Sequence, residues 1–382
     1  MPAPEHARQW LSLILADGLG PVRFAALEER LGSPPDWLDA SDRALRAAGL
    51  DDRIVRQLRR PDEKRLQRCL DWLDDDRRWL ITRSDPLYPP LLKRIPDAPI
   101  ALFVAGSVEA LVMPQIAIVG SRGATSGGLD HARSFAATLA RAGFVITSGL
   151  ATGVDGMAHA GCLDAGGTTL AVAGTGLDRI YPPRHHDLAR RIARSGALIS
   201  QFPPGVGPLP GNFPARNRII SGMSLGVLVV EAGVKSGSLI TARLAGEQGR
   251  EVFAIPGSVH NPQARGCHRL IRDGARLTET ADEIIAELEP LARKMAGEIE
   301  QLLAPAPAGS SPGLEEADHT PHMEHDPEYV RLLEAVGFDP TPVDDIIARS
   351  QLTPAQVSSM LLMLELDGRI SSHTGGRYSR KA

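Results

Sequence analysis

Between residues 115 and 289, the chain alternates short apolar runs with longer segments of mixed polarity. The apolar runs are continuous and rich in β-branched residues, a pattern typical of parallel strands that are buried on both faces. The predicted strands are Ile116–Val119, Phe144–Thr147, Thr169–Ala173, Ala197–Ser200, Leu225–Val230 and Glu251–Ile255. The predicted helices include Leu129–Ala142, Gly156–Ala165, Asp187–Ser195 and Leu239–Gln248. This alternation predicts an α/β fold with an extended Rossmann-like, doubly wound and mostly parallel sheet.

The first part of the chain has a helical pattern instead. Across residues 9–80, a helix that starts at Trp10 is broken at Gly18–Pro21 and resumes over Val22–Leu31. Two helices joined by a Gly-x-Gly turn resemble a helix-hairpin-helix or SAM-like unit, which can offer backbone N–H groups to a DNA phosphate. A plain packing bundle is the favoured alternative, because Gly-x-Gly between helices is common. Residues 81–113 predict an extended, proline-rich connector that ends in a strand, Ile100–Val104.

The last part of the chain predicts a linker and a small domain. Residues 291–325 are rich in Pro, Ala, Gly, Ser and acidic residues, which indicates a flexible linker. Three predicted helices and a two-stranded wing follow, which is a winged-helix pattern; they are Val330–Val336, Val343–Ser350, Pro354–Asp367, and the wing strands 369–373 and 376–379. The third helix is apolar and has no Lys or Arg, so protein contact is favoured over DNA contact. The predicted domains are 1–80, 81–290 and 326–382, with 291–325 as linker.

Composition narrows the function classes. The net charge of -4 argues against a uniformly basic nucleic-acid binder. Residues 114–289 are nevertheless positive by +3, and 16 of their 17 basic residues are arginine. The planar guanidinium group of arginine binds phosphate or carboxylate through two hydrogen bonds. A GC-rich genome, which favours arginine in every protein, is the alternative explanation of this composition. The three cysteines lie far apart, which predicts neither a disulfide framework nor a zinc site. We expect a cytoplasmic protein without a signal peptide, a membrane span, a metal or a cofactor.

Glycine-rich turns follow the predicted strands, where parallel sheets bind phosphate-bearing ligands. The first turn contains Gly120, Ser121 and Arg122 and departs from the G-x-G-x-x-G pattern of dinucleotide folds. Because Arg122 stands where a glycine would admit a pyrophosphate, the turn indicates an external backbone phosphate. Further turns contain Gly149, Thr152, Gly153, Gly174, Thr175, Gly176, Ser236, Gly237 and Ser238. Turns that share one sheet edge predict a site for a ligand that carries phosphate.

A second cationic element is the segment Phe213–Gly222, which contains Arg216, Asn217 and Arg218. Side chains two residues apart on a helix point to different sides, so a single solvated stripe of both arginines is disfavoured. An ordered loop or first helical turn that aims both guanidinium groups at anionic oxygens fits the pattern better.

Three other polar residues invite a catalytic interpretation. Asp155 and His159 lie one helical turn apart, but no nucleophile or metal ligand stands beside them. Capping of N–H groups is therefore the favoured role for Asp155. Glu231 at the end of a strand could be a general base, and orientation of an arginine such as Arg216 is favoured over that role.

Six motifs together closely resemble the DNA-processing protein A (DprA/Smf) family, in the expected order across about residues 80–290. They are VGSR at 119–122, SGLATGVD at 148–155, AGTGLD at 173–178, FPARNRIISG at 213–222, EAGVKSGSLITA at 231–242 and AIPG at 254–257. The resemblance implies a binding protein, not an enzyme. Its members hold single-stranded DNA, displace single-strand binding protein, help to load RecA recombinase during natural transformation, and act as dimers through the Rossmann core.

The resemblance also implies roles for individual residues. Arg122 should contact a phosphate, Phe213 should lie beside a base, and Arg216, Asn217 and Arg218 should line the same pocket. The floor of the pocket should be formed by Gly149, Gly174, Thr175, Gly176, Ser236, Gly237 and Ser238. Family members often have a lysine two or three residues before the phenylalanine; Gly211 and Pro210 stand there in this chain, and Lys235 is the candidate replacement.

Two other function classes remain as alternatives. A Rossmann-type nucleotide phosphoribohydrolase would use Glu231 as its catalytic residue, but the Pro-Gly-Gly-x-Gly-Thr loop expected of that class is absent near Glu231. A pure interaction scaffold would use the winged-helix domain as its binding module.

Overall fold

The computed structural model describes residues 4–303, 327–337, 339–353, 357, 360–361, 364, 369–373 and 377–380. The chain forms two compact units, residues 1–305 and 306–382. Within the described residues, we find no helix with the length and apolar character needed to cross a membrane.

The first unit is built on one sheet of nine strands. These are β1 (Arg78–Thr82), β2 (Ala101–Gly106), β3 (Gln115–Val119), β4 (Val145–Ser148), β5 (Thr169–Val172), β6 (Ala197–Ser200), β7 (Gly226–Val229), β8 (Glu251–Ala254) and β9 (Arg276–Leu277). The spatial order is β1-β2-β6-β5-β4-β3-β7-β8-β9. The pairs β1–β2 and β2–β6 are antiparallel, and the other pairs are parallel. The chain order reverses at β3, so a crevice opens between the carboxyl ends of β3 and β7.

Thirteen α-helices are described in the first unit. They are α1 (Pro4–Ile14), α2 (Pro21–Leu31), α3 (Asp42–Ala47), α4 (Asp52–Arg59), α5 (Glu63–Leu73), α6 (Pro90–Lys93), α7 (Ser126–Arg141), α8 (Val154–Asp164), α9 (His186–Ser195), α10 (Asn212–Met223), α11 (Ser238–Glu247), α12 (Arg265–Arg272) and α13 (Ala281–Leu303). The six strands and four helices predicted for the middle of the chain are confirmed, with ends that differ by at most three residues. The doubly wound, mostly parallel sheet is therefore confirmed.

Helices cover both faces of this sheet, because successive residues of each buried strand point to opposite sides. On β3, Ala117 and Val119 pack with residues of α10 and α11, such as Ile219 and Ala242. The intervening Ile116 and Ile118 pack on the other face with α7, α8 and α13. From Ile116 to Val119 both faces of the strand are apolar, which explains why this run shows no alternation.

The N-terminal helices share a core with the sheet. Trp10, Phe24 and Trp37 form a chain of rings with centroid separations of 5.9 and 4.9 Å. Trp72 of α5 meets Phe103 of β2 edge to face at 5.8 Å, which joins the helices to the sheet. The same apolar cluster continues into β6 and α9. The domain boundary predicted at residues 80/81 falls inside β1, whose pairing with β2 extends the sheet into the region predicted as helical.

Helix α13 changes the predicted start of the linker. The helix runs from Ala281 to Leu303, so it continues through the first part of the segment predicted to be flexible. Ile284, Leu288 and Met295 are buried against the sheet face that α7 covers, and this apolar spacing holds the helix in place beyond residue 290. The remainder of the predicted linker, residues 304–325, lies outside the described residues.

The second unit has the predicted winged-helix elements. Its described helices are α14 (Pro327–Val336) and α15 (Val343–Ser350), and its sheet has the order β10 (Thr341–Pro342), β12 (Arg377–Arg380), β11 (Ile370–His373). The predicted wing is confirmed as β11 and β12. Of the predicted third helix, only Val357, Met360, Leu361 and Leu364 are described; all four are helical and buried in the core of this unit.

Candidate functional site

A cleft of about 750 Å³ lies at the reversal point of the sheet, between the carboxyl ends of β3 and β7. Its walls come from the turn after β3, the start of α10 and the start of α11. The lining residues are Val119, Gly120, Ser121, Arg122, Gly123, Ala151, Asp155, Tyr181, Pro208, Pro210, Phe213, Pro214, Arg216, Asn217, Ile220, Gly233, Lys235, Ser236, Gly237, Ser238, Ile240, Thr241 and Gln263.

The turn after β3 directs Arg122 into the solvent. A Cβ atom on Gly120 would lie 2.6 Å from Val154 Cγ2, so only glycine fits there. Ser121 is buried, its N–H donates to the carbonyl of Glu231 at 2.7 Å, and its hydroxyl accepts from Gly123 N–H at 3.1 Å. Because these contacts fix the backbone on both sides, the Arg122 side chain projects outward as an exposed cation.

Aromatic rings stand beside that cation. The guanidinium carbon of Arg122 lies 5.9 Å from the centroid of the Phe213 ring, within the range of a cation–π contact. Tyr181 lies 5.5 Å from Phe213 at an interplanar angle of 43° and is 46% exposed. Gly174 lets Phe213 pack against the turn after β5, because a Cβ atom would be 2.8 Å from the ring. The two rings and the guanidinium group form a surface on which a planar base can stack.

Arg216 lies under the cleft and is only 4% exposed. Its Nη1 donates to the backbone carbonyls of Gly149, at 2.5 Å, and Val172, while its buried Nε has no hydrogen-bond partner among the described residues. Burial lowers the pKa of Arg216 to about 10, although the nearby Asp155 opposes that fall. The guanidinium group therefore remains a cation at neutral pH. It supplies a fixed positive charge beneath the cleft instead of an exposed clamp.

Arg218 is not brought into the cleft. It belongs to α10 like Arg216, but two residues correspond to a rotation of roughly 200° about the helix axis. Its Nε lies 2.9 Å from the Asp97 carboxylate, and its Nη2 donates to Gln201 Oε1 at 2.7 Å. The segment is helical from Asn212 onward, so the expectation that both arginines aim at the same ligand fails for geometric reasons.

The start of α11 gives the cleft a second polar wall. Lys235 is exposed, and the hydroxyl groups of Ser236 and Ser238 lie 2.7 Å apart. Asn217 Nδ2 reaches within 3.5 Å of the carbonyl of Gly237 from the facing helix. A ten-residue helix starts here at Ser238, so hydroxyl groups, the helix dipole and a lysine all favour an anion at this point.

Asp155 holds the turn after β4. Its Oδ2 accepts from the N–H groups of Gly149, at 3.2 Å, and Ala151, at 3.3 Å. Leu150 between them has a φ angle of 59°, and its carbonyl accepts from His185 Nδ1 at 2.9 Å. Burial raises the pKa of the Asp155 carboxyl, whereas Arg216 opposes that rise. The capping role predicted for Asp155 is thus directed at the turn that precedes its helix.

Glu231 does not orient Arg216. Its carboxylate accepts from Thr125 N–H and Thr125 Oγ1, both at 2.8 Å, and from Asn261 Nδ2 at 3.1 Å. These bonds tie the end of β7 to the start of α7. Thr125 is the N-cap of that helix, so Glu231 has a structural partner that sequence spacing did not reveal.

The remaining predicted residues lie outside the cleft lining. Gly149 makes room for Arg216, since a Cβ atom would lie 2.4 Å from its Nη1. Thr175 is buried with its carbonyl bonded to Ser200, and Gly176 donates to the carbonyl of Val206. Thr152 and Gly153 line a separate cavity. The glycine turns therefore support side chains that pack from α10, and they offer the ligand less bare backbone than the sequence suggested.

Buried His159 predicts a pH-dependent stability. Its Nδ1 lies 2.7 Å from Thr169 Oγ1, and burial lowers its pKa from 6.5 to about 3. Between about pH 6.5 and pH 3, the His159 imidazole is protonated in the unfolded chain but neutral in the folded protein. The contribution of His159 to the stability of the folded state is therefore fully present above about pH 6.5 and is lost as the pH falls toward 3. We expect His159→Gln to remove up to about 1.4 kcal/mol per pH unit of that dependence. Urea unfolding at about pH 5 and pH 7.5 measures it; parallel profiles for both proteins would contradict this assignment.

Comparison with known proteins identifies the chain. A family model for DNA recombination-mediator protein A matches residues 79–289, more than half of the sequence. Protein Smf of Escherichia coli (strain K12) is 43% identical over 334 residues, which cover 87% of this chain and 85% of that protein. The chain belongs to the DprA/Smf family. A model of the DprA winged helix domain also matches residues 315–376.

Solved structures of DprA proteins have the same architecture. The X-ray structure of DNA processing protein A from Streptococcus pneumoniae superposes with a TM-score of 0.65 at 35% identity and covers 73% of this chain and 97% of its own. DNA processing protein A from Helicobacter pylori, whose structure describes a single-stranded DNA binding mode, gives a TM-score of 0.50 at 31% identity; it covers 53% of this chain and 93% of its own.

Tyr181 is an aromatic residue of the cleft in this DprA/Smf family member that the sequence analysis did not assign to the site. It follows the third glycine turn within the run Ile180-Tyr181-Pro182-Pro183, and an exposed aromatic beside prolines was an available signal. Lys235, the candidate replacement for the family lysine, does line the cleft. Among the described residues that line the cleft, Asp155 is the one carboxylate, and it is buried.

Proposed function

We propose that this protein binds single-stranded DNA in the cleft, without catalysing a reaction on it. One observation carries the proposal: the exposed Arg122 lies beside the Phe213–Tyr181 pair in a cleft that the exposed Lys235 and the buried Arg216 also line. Cations beside partly exposed rings can bind phosphates and stack bases without reading the sequence. The structure of the Helicobacter pylori relative, which concerns binding of single-stranded DNA, supports the same ligand class.

A strand fits this cleft better than a mononucleotide or a duplex does. Arg122 and Lys235 are exposed on different walls, so they suit successive phosphates of one chain. A base that stacks on Phe213 or Tyr181 must be unpaired, which favours a single strand over a duplex. The Arg216 charge attracts phosphate from below but is too buried to clamp one directly.

We further propose that the bound strand is handed to RecA recombinase. The family model's description as a recombination mediator supports this role. In this role the protein protects incoming DNA during natural transformation, displaces single-strand binding protein and acts in the cytoplasm. A homodimer through the sheet unit would double the number of exposed cleft cations and lengthen the track for the strand.

The phosphoribohydrolase alternative finds less support. It requires Glu231 to reach a nucleotide, but that side chain is 8% exposed, and both of its carboxylate oxygens accept bonds from Thr125. The carboxylate also lies outside the cleft lining. The scaffold alternative predicts no binding of DNA by the cleft, which a direct measurement decides.

A competition assay tests the proposal. A labelled oligothymidylate is bound to the full chain and challenged with unlabelled single strand, duplex or mononucleotide, and fluorescence anisotropy follows its release. We expect the single strand to compete at concentrations at least about tenfold below the duplex, because unpaired bases add about 1–3 kcal/mol each by stacking. Equal competition by the mononucleotide, or release of its base, would favour the enzyme. In a second arm, the protein should raise the DNA-dependent ATPase activity of RecA on strands coated with single-strand binding protein.

A further inference from the structure

A second cavity of about 500 Å³ lies beyond Arg122, between α7, α8 and α9. Arg122 lines both this cavity and the cleft. Two backbone turns also line both the cleft and the cavity. In the first turn, Gly123 lines the cleft and Ala124 lines the cavity; in the second, Ala151 lines the cleft and Thr152 lines the cavity. The two spaces are therefore neighbours, separated by the ridge that carries Arg122.

The second cavity has an apolar floor and a basic rim. Leu129, Met157 and Leu188 supply apolar surface from α7, α8 and α9 in turn. Arg122, Arg184 and Arg191 supply the charge. Arg191 donates to Asp164 at 2.7 Å, and Asp164 also accepts from Arg133. Two arginines therefore share one carboxylate, and the group of Arg133, Asp164 and Arg191 keeps a net positive charge. Arg184 is exposed and forms no salt bridge within residues 4–303.

One wall of this cavity is tied to the cleft. His185 donates from Nδ1 to the carbonyl of Leu150 at 2.9 Å. Its ring rests against Gly156, where a Cβ atom would lie 2.8 Å from Cε1. Gly149, the residue before Leu150 in the same turn, accepts a hydrogen bond from Arg216 below the cleft through its backbone carbonyl. Hydrogen bonds to one turn, at Gly149 and Leu150, therefore hold side chains of both spaces.

We propose that single-stranded DNA continues from the cleft over Arg122 into this second cavity. The inference rests on the proposed function and extends it to a second binding segment. A nucleotide there lays its base on the apolar floor and its phosphates against Arg184 and Arg191. The floor contains no Phe, Tyr or Trp among its described residues, so contact with a base is apolar instead of a ring stack. Arg122, on the shared ridge, contacts the phosphate that joins the two segments.

The length of the strand provides the test. Binding of oligothymidylates of about four and about sixteen nucleotides to the full chain is measured by anisotropy across a salt series. Arg184→Ala should weaken binding of the long strand about fivefold and reduce its salt slope by about 0.7, the value for one phosphate contact on a single strand. Binding of the short strand, which the cleft alone accommodates, should be unchanged. Arg194→Ala is the matched control, because Arg194 is exposed in the last turn of α9, the helix that follows Arg184, and lines neither space.

The outcomes separate this inference from the proposed function. If Arg184→Ala binds the long strand like the wild type while Arg122→Ala binds it more weakly, the strand does not enter the second cavity. Equal losses from Arg184→Ala and Arg194→Ala would mean a general field effect and would also overturn the inference. If the wild type binds neither strand, the proposed function itself fails, and this inference fails with it.

Discussion

Replacing Arg122 and Lys235 together by alanine should lower the affinity for single-stranded DNA by about two orders of magnitude at low salt. Each cation contributes roughly 1.4 kcal/mol at a phosphate, a tenfold change in the dissociation constant. Two lost phosphate contacts should also flatten the dependence of log affinity on log salt by about 1.4. Both side chains are exposed, so the variant should fold normally. Anisotropy titrations over a salt series measure both quantities.

The matched control removes one arginine and one lysine elsewhere in the same unit. Arg141 at the end of α7 and Lys64 in α5 are exposed and lie outside the cleft. Arg141→Ala with Lys64→Ala makes the same change in net charge, and we expect less than about a threefold loss of affinity. A loss as large as that of the cleft variant would show that overall charge, not the cleft, binds the strand.

The second large effect concerns Gly149. The new Cβ atom of Gly149→Ala would stand 2.4 Å from Nη1 and 2.7 Å from Cζ of Arg216. That guanidinium group is buried and is bonded to two backbone carbonyls, so it cannot swing aside freely. We expect the free energy of unfolding to fall by about 2–3 kcal/mol, as in other overpacked interiors. Gly123→Ala is the control, because its Cβ atom would meet nothing within 4 Å, and should change stability by less than about 0.5 kcal/mol.

A double-mutant cycle locates the cause of that loss. In an Arg216→Ala background the clash is gone, so Gly149→Ala should cost less than about 1 kcal/mol there. Urea unfolding of the four proteins gives the coupling energy, and Arg216→Met serves the same purpose if the alanine variant does not fold. An equal cost of Gly149→Ala in both backgrounds would show that the clash with Arg216 is not responsible.

The sheet was predictable because its strands are buried on both faces. Runs such as Ile116–Val119 are apolar at every position, which distinguishes them from surface strands. The ends of the sheet were harder to predict. Strand β1 is partly exposed at its first two residues. Strand β9 has only two residues, Arg276 and Leu277, which are exposed and too few to show a strand pattern. The continuation of α13 beyond residue 290 depends on the burial of Met295 against residues of α7 and the sheet that are far from it in the sequence. Local composition does not reveal this contact.

The location of the candidate site was predictable from the sequence, but the role of each residue in it was not. Glycine turns at strand ends and the exposed Arg122 follow from sequence and topology. The roles of Arg216 and Arg218 depend on partners far away in the chain, namely Gly149 and Asp97. The motif suggests three equal ligands, but the helical repeat places Arg216 beneath the cleft, Asn217 on its wall and the buried Arg218 in an ion pair away from it.

The order of strands in the sheet also sets the time at which the site can exist during synthesis. Strand β3 is central, and its neighbour β7 begins only at Gly226. The wall that carries Lys235 and Ser238 leaves the ribosome later still. Until then the nascent chain has an unpaired apolar strand edge and no cleft, although Arg122 was made long before. The proposed DNA site is therefore completed only late in synthesis. Until then the exposed strand edge is prone to aggregation, and a chaperone would protect the chain most in this interval.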